Sequence, residues 1–103
     1  MTLEALNDNI ARQIATCLLL LEEKGREYVF NEDRLQHFKE AGEALGVSPE
    51  QALWGMASKH FTSLGQMCKA EKEFSDAVWD EKITDAINYL LLLKCLVQEG
   101  ADD

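Results

Sequence analysis

Apolar residues recur every three or four positions through most of the chain, and no stretch alternates with period two. That pattern predicts helices and no strands. A first helix is predicted over about residues 3–24, with Leu6, Ile10, Ile14, Cys17, Leu18 and Leu21 on one face. Thr2 is placed to cap its free N–H groups, and Gly25 is expected to end it, since glycine takes positive φ without strain. The connector Arg26-Glu27-Tyr28-Val29-Phe30 is aromatic rather than hydrophilic, so it is expected to pack down onto the helices.

A second helix is predicted over about 32–45. Asn31 would cap it, Glu32 and Asp33 would favour its positive end, and Gly46 would close it. Its apolar stripe is Leu35, Phe38, Ala41 and Leu45. The sharpest local signal follows in Ser48-Pro49-Glu50-Gln51, where Ser caps, Pro sets the first helical φ and Gln51 completes a capping box. The third helix, about 49–70, carries Leu53, Met56, Ala57, His60, Leu64 and Met67 on one side. A fourth, about 76–98, begins at Ser75 or Asp80 and ends at Gly100, with Ile83, Ala86, Ile87, Leu90, Leu93 and Val97 as its stripe.

Four amphipathic helices with short links bury their stripes most economically as an all-α, four-helix antiparallel bundle. The fourth helix also carries Tyr89, Leu91, Leu92 and Leu96 off its stripe. A helix apolar nearly all round is central or lies in a subunit interface, so a homo-oligomer, dimer or tetramer, is expected.

At 103 residues the chain makes one domain, large enough to hold a core without staples. A net charge of −9, from 10 basic and 19 acidic residues, argues against direct DNA binding. The N-terminus, Met1-Thr2-Leu3-Glu4-Ala5, lacks a basic region followed by an apolar one. The apolar run Leu90–Leu93 is far short of the ~20 residues that span a bilayer. Cys17, Cys68 and Cys95 are odd in number, widely spaced and on apolar faces, so they are expected to be buried thiols in a reducing, cytoplasmic setting. Trp54 and Trp79 are expected to serve packing.

Acidic pairs at helical spacing (Glu40 with Glu43, Glu73 with Asp76, Glu81 with Asp85) raise the prospect of a divalent cation. In a chain this acidic most such pairs are solvated surface. Asp85 differs, because it and Asn88 lie among apolar positions in Ile83-Thr84-Asp85-Ala86-Ile87-Asn88-Tyr89. A carboxylate at the edge of a core needs a cation, a hydrogen bond or a bound ion. Arg26, Arg34 and Lys59 are its candidate partners, in a structural salt bridge or in a ligand pocket. His60 reads as a satisfied core residue. No nucleophile with a partner base, no glycine-rich phosphate loop and no dinucleotide fingerprint is present.

The series Arg26-Glu27-Tyr28, Asn31, Arg34, Phe38, then Leu45-Gly46-Val47-Ser48-Pro49-Glu50, Lys59 and Asp85-Ala86-Ile87-Asn88-Tyr89 resembles small phage- and prophage-encoded helical domains. These are loosely related to the MazG-like all-α nucleotide pyrophosphohydrolases, and the resemblance covers roughly residues 22–98. It implies an oligomeric four-helix architecture whose acids hold Mg²⁺ for hydrolysis of nucleoside triphosphates. On that resemblance Asp85 matches the last acid of an ExxD pair. Lys82 stands where the preceding acid would be, and Glu81 lies one step out of register. Lys59-His60-Phe61-Thr62 stands where the third helix would supply acids, and the literal ExxE, Glu40 to Glu43, falls one helix earlier.

The resulting expectation is a nucleotide-handling protein related to a degenerate pyrophosphohydrolase. Arg26, Arg34 and Lys59 would hold phosphates, Asp85 and Glu81 would take Mg²⁺, Asn88 a sugar or base edge, and Tyr28 or Tyr89 would stack. The competing expectation is an acidic phage protein that blocks a basic groove on a host nucleic-acid-binding or defence factor, using Glu22, Glu23, Glu27, Asp76, Asp80 and Glu81.

Overall fold

The computed structural model describes residues 1–27 and 33–102, and the side chains of all of these except 26, 27 and 102. Four helices account for nearly all of them, with no strand among the described residues: α1 (Leu3–Glu27), α2 (Gln36–Leu45), α3 (Pro49–Lys69) and α4 (Asp76–Asp102). None is long and apolar enough to cross a membrane. Among the described residues the packing order is α2, α3, α4, α1: α3 lies between α2 and α4, and the backbone of α1 lies against that of α4.

The ends of these helices follow from local chemistry. Thr2 Oγ1 accepts the Ala5 N–H at 3.1 Å, and Ser75 Oγ accepts that of Val78 at 3.3 Å, which makes Ser75 the cap of α4. At α3 both halves of the capping box form: Ser48 Oγ accepts the Gln51 N–H at 3.1 Å, and Gln51 Oε1 accepts the Ser48 N–H at 3.1 Å. α2 closes with Gly46 at φ 71°, where Val47 N–H reaches Gly42 C=O at 2.9 Å and Gly46 N–H reaches Glu43 C=O. This pair of bonds is the Schellman arrangement, and it folds the chain back at once into Ser48.

The return brings backbone against Gly42, where a Cβ would lie 2.8 Å from the Val47 carbonyl oxygen and 3.0 Å from the Ser48 carbonyl carbon. Backbone held by a cap cannot yield cheaply. Gly42→Ala is therefore expected to destabilise by about 1–2 kcal/mol, overpacking outweighing the better helix propensity of alanine. Gly55→Ala and Gly65→Ala, where an added Cβ meets nothing, are expected to raise the melting temperature instead. A thermal melt of the three variants checks the contrast.

Three predicted boundaries are corrected. α1 continues through Gly25 to Glu27, and α4 through Gly100 to Asp102. A glycine inside a helix costs only about 1 kcal/mol, so without a turn to form it does not stop one. α2 starts at Gln36 rather than near residue 32, because Asp33 builds a turn first: its Oδ1 accepts the Leu35 N–H at 2.9 Å and its carbonyl accepts that of Gln36. The expected cap Asn31 and the connector Tyr28-Val29-Phe30 lie outside the described residues.

The core gathers Leu53 and Ala57 of α3, Phe38 of α2 with Leu35 just before it, and Leu96 of α4. Leu93 of the predicted stripe packs on that cluster and Ala86 is buried, but Tyr89 and Leu92 from off the stripe pack there too, while Leu90 and Val97 are exposed. The reason is that α4 is apolar nearly all round, and α3 and α1 select between its faces. α1 departs further. Cys17 is buried, but Leu6, Ile10, Ile14 and Leu18 of its expected core face are exposed. Cys68 and Cys95 are exposed as well, against expectation, as are Trp54 and Leu45.

Candidate functional site

Below α1, where α2, α3 and α4 converge, the structure encloses a cavity of about 420 Å³. α4 supplies its wall with Asp85, Asn88, Tyr89 and Leu92, spaced i, i+3, i+4 and i+7 and so stacked along one face. Met56 and His60, four apart on α3, form a second side. Leu21 and Lys24 close the cavity from the last turns of α1, and Arg34, His37 and Glu40 from the entry and first turns of α2. Its apolar base is the edge of the core, and its charges sit at the rim.

Asn88 is the most unusual group present. Its side chain is 6% exposed, and its Oδ1 is buried with no hydrogen-bond partner among the described residues. A buried amide oxygen left unpaired costs on the order of 1–3 kcal/mol. By contrast Thr84, one turn earlier and equally buried, accepts a hydrogen bond from Gln13 Nε2 at 2.8 Å, which ties α1 to α4.

Tyr89 packs against His60 in the cavity wall with ring centroids 5.1 Å apart. Burial raises the Tyr89 phenol above the usual tyrosine range, and the Asp85 carboxylate one turn before it adds to the effect. A raised folded pKa means that the neutral phenol supports the fold below pH 10 and that this support is lost as pH climbs through the folded value. In a Tyr28→Phe background, where Tyr89 is the sole tyrosine, its ultraviolet titration is expected to lie above that of free tyrosine and to move down in Asp85→Asn. An unchanged titration would mean that Asp85 and Tyr89 are not neighbours.

Arg34 is positioned by α1: its Nη1 donates to the Leu21 carbonyl at 3.3 Å. The missing Cβ of Gly25 makes room for it, since a methyl there would overlap the guanidinium. Asp33, the next residue back, is held by Lys39 Nζ at 2.6 Å, and Lys39 also pairs with Glu99 near the end of α4. The hydrogen bond from Lys39 and the Leu35 N–H keep the Asp33 carboxyl below its ordinary range, and the two acids raise Lys39. Lys39 thus clamps the entry of α2 onto α4 and holds one side of the cavity in place.

Of the residues weighed for chemistry in the sequence, Arg34, Glu40, His60, Asp85, Asn88 and Tyr89 come together here. Lys59 and Glu81 are exposed and do not line the cavity: Lys59 lies one residue, about 100° of helical turn, from His60, which does, and Glu81 lies a full turn before Asp85, where the lining of α4 begins. The Arg26 side chain and all of Tyr28 lie outside what is described. Lys24 and His37 are missed by sequence reasoning, which offers Glu40 only as half of an acidic pair with Glu43, a residue that does not line the cavity. Their signal was the spacing of Asp33, Gln36, His37 and Glu40, a polar face that reads as solvated when seen without its neighbours. Among the described residues no three His, Cys, Asp or Glu side chains gather into a metal-binding group.

No protein-family model matches this chain, and no curated protein or solved structure matches it.

Proposed function

We propose that this cavity binds a nucleotide, and that the chain is a degenerate, homo-oligomeric counterpart of the MazG-like pyrophosphohydrolases it resembles. The observation that carries the reading is the buried, unpaired amide oxygen of Asn88, a residue in the wall of an apolar-based cavity whose rim carries Lys24 and Arg34 beside the acids Asp33 and Glu40. A nucleotide supplies a complement to the amide, the rings and the two cations. A base or sugar N–H or O–H would satisfy Asn88, the contiguous rings of Tyr89 and His60 would offer the base an aromatic surface on one side, and Lys24 and Arg34 would take phosphate oxygens by charge-assisted bonds.

Magnesium is commonly held by one or two carboxylates together with substrate phosphates, not by an all-protein cage. Asp85 is the residue placed for that role. Glu81 lies outside the lining and Lys82 stands one turn before Asp85, so the chain's own donors fit a metal carried in on the nucleotide and not a resident one. When bound, such an ion would polarise a phosphoryl oxygen. The protein's own part is to orient base and phosphates around it.

A thermal-shift screen against nucleoside mono-, di- and triphosphates, each with and without Mg²⁺, tests this. A ligand at about 100 times its Kd adds ~2.7 kcal/mol, a rise of several degrees for a domain of this size. A shift that grows from mono- to triphosphate is the expected result. No shift with any nucleotide would overturn the reading and turn attention to the exposed acids Glu22, Glu23, Asp76, Asp80 and Glu81 as a surface for a basic partner.

A further inference from the structure

α1 rests on α4 by a narrow line at Cys17 and the Gln13–Thr84 hydrogen bond, yet most of its apolar side chains remain in solvent. Leu3, Ile10, Ile14 and Leu18 are 73%, 49%, 61% and 57% exposed, and Leu6 is 45% exposed. Their spacing of three and four residues makes them a continuous stripe about four turns long. We propose that this stripe is a homodimer interface, packing against the same stripe of a second copy about a two-fold axis.

Three observations favour a second copy as the occupant. The first is area. The chain exposes 7704 Å², whereas a compact monomer of its mass exposes roughly 5,800 Å². Its radius of gyration is 15.8 Å, against about 13 Å for a compact domain of this length. The surplus, roughly 1,900 Å², exceeds the ~800 Å² that each partner contributes to a standard interface. The second is charge. Nineteen of 103 residues are acidic, but none lies between Asp8 and Glu22, and Arg12 is the one charged residue in that interval. A chain of net charge −9 can meet itself only where its acids are absent, and a basic partner would gain nothing there. The third is symmetry: a stripe centred near Ile10 and apolar at both ends is self-complementary when two copies meet antiparallel.

The same face continues to Leu21, which lines the cavity. A second copy on the stripe therefore lies near the wall that Leu21 gives to the cavity. This inference gives the homo-oligomer of the preceding reading its surface, and it does not depend on the ligand.

Light scattering coupled to size exclusion tests it at tens of micromolar protein. The wild-type chain is expected at twice its monomer mass, Ile14→Glu and Leu18→Glu at the monomer mass with helical circular dichroism retained, and Leu45→Glu, equally exposed but on α2, as a dimer. A monomeric wild type would overturn both this proposal and the oligomeric reading. A dimeric Ile14→Glu would overturn the surface alone. Should the glutamate variants unfold, Ile10→Cys in a Cys68→Ser, Cys95→Ser background decides the matter. Mild oxidation is expected to link it into a covalent dimer, and failure to link overturns the proposal.

Discussion

Replacing Leu53 with alanine is expected to cost about 3–5 kcal/mol, the upper part of the range for such core truncations. Leu53 has no exposed surface and sits where Leu35 and Phe38 on one side meet Leu96 on the other, so it joins three elements at once. α3, which carries Leu53, is pinned at its start by the Ser48 capping box, which limits its collapse into the void. For a domain whose total stability is on the order of 5–15 kcal/mol, that loss would lower the melting temperature by well over 10 °C. Chemical denaturation should show the midpoint falling with the slope unchanged. Leu45→Ala, at a site 70% exposed, is expected to change stability by less than about 0.5 kcal/mol. Comparable costs at the two leucines would contradict the placement of the core.

The second large effect concerns ligand binding and separates two side chains by role. Arg34→Ala is expected to weaken triphosphate binding about 10- to 100-fold with or without Mg²⁺, the loss of charge-assisted bonds worth ~1.5–3 kcal/mol. Asp85→Asn is expected to leave metal-free binding nearly intact and to abolish the increment that Mg²⁺ adds. Calorimetric titration of both variants against the wild type reads this directly. Both should melt close to the wild type, because Arg34 and Asp85 lie at the edge of the core and not inside it. If Asp85→Asn unfolded the chain while Arg34→Ala bound normally, Asp85 would be a structural acid and the cavity a packing defect.

Much of the fold was legible in the sequence because it depends on local chemistry. The Ser48 capping box, the Gly46 turn and the periodicity of α3 arise within a few residues, and all stand in the structure as expected. Periodicity identifies an apolar face but not what covers it. The stripe of α1 was read as core and is largely exposed, and α4 presents Leu96 inward instead of Val97. Gly25 and Gly100 misled because glycine permits a helix end without compelling one.

The site was legible where burial conflicted with polarity. Asp85 and Asn88 stood out among apolar neighbours, and both line the cavity. Lys24, His37 and Glu40 carried no such conflict; only the meeting of α1, α2 and α4 gives them a common space. Lys59 illustrates the opposite limit, since a single residue's shift from His60 turns a side chain about 100° away, and Glu81 lies a full turn short of Asp85.

The central claim is that the Asn88 cavity is a nucleotide site, and the most direct measurement observes that side chain. In ¹⁵N-labelled protein the Asn88 amide group, assigned by its loss in Asn88→Asp, can be followed while a nucleoside triphosphate is added. The account predicts that the Asn88 NH₂ and Arg34 Nε–H signals move together along one binding curve, while the backbone at Leu45 and Cys68, far from the cavity lining, stays unchanged. Signals that remain still at millimolar nucleotide, or that move only on the outer face of α1, would contradict it.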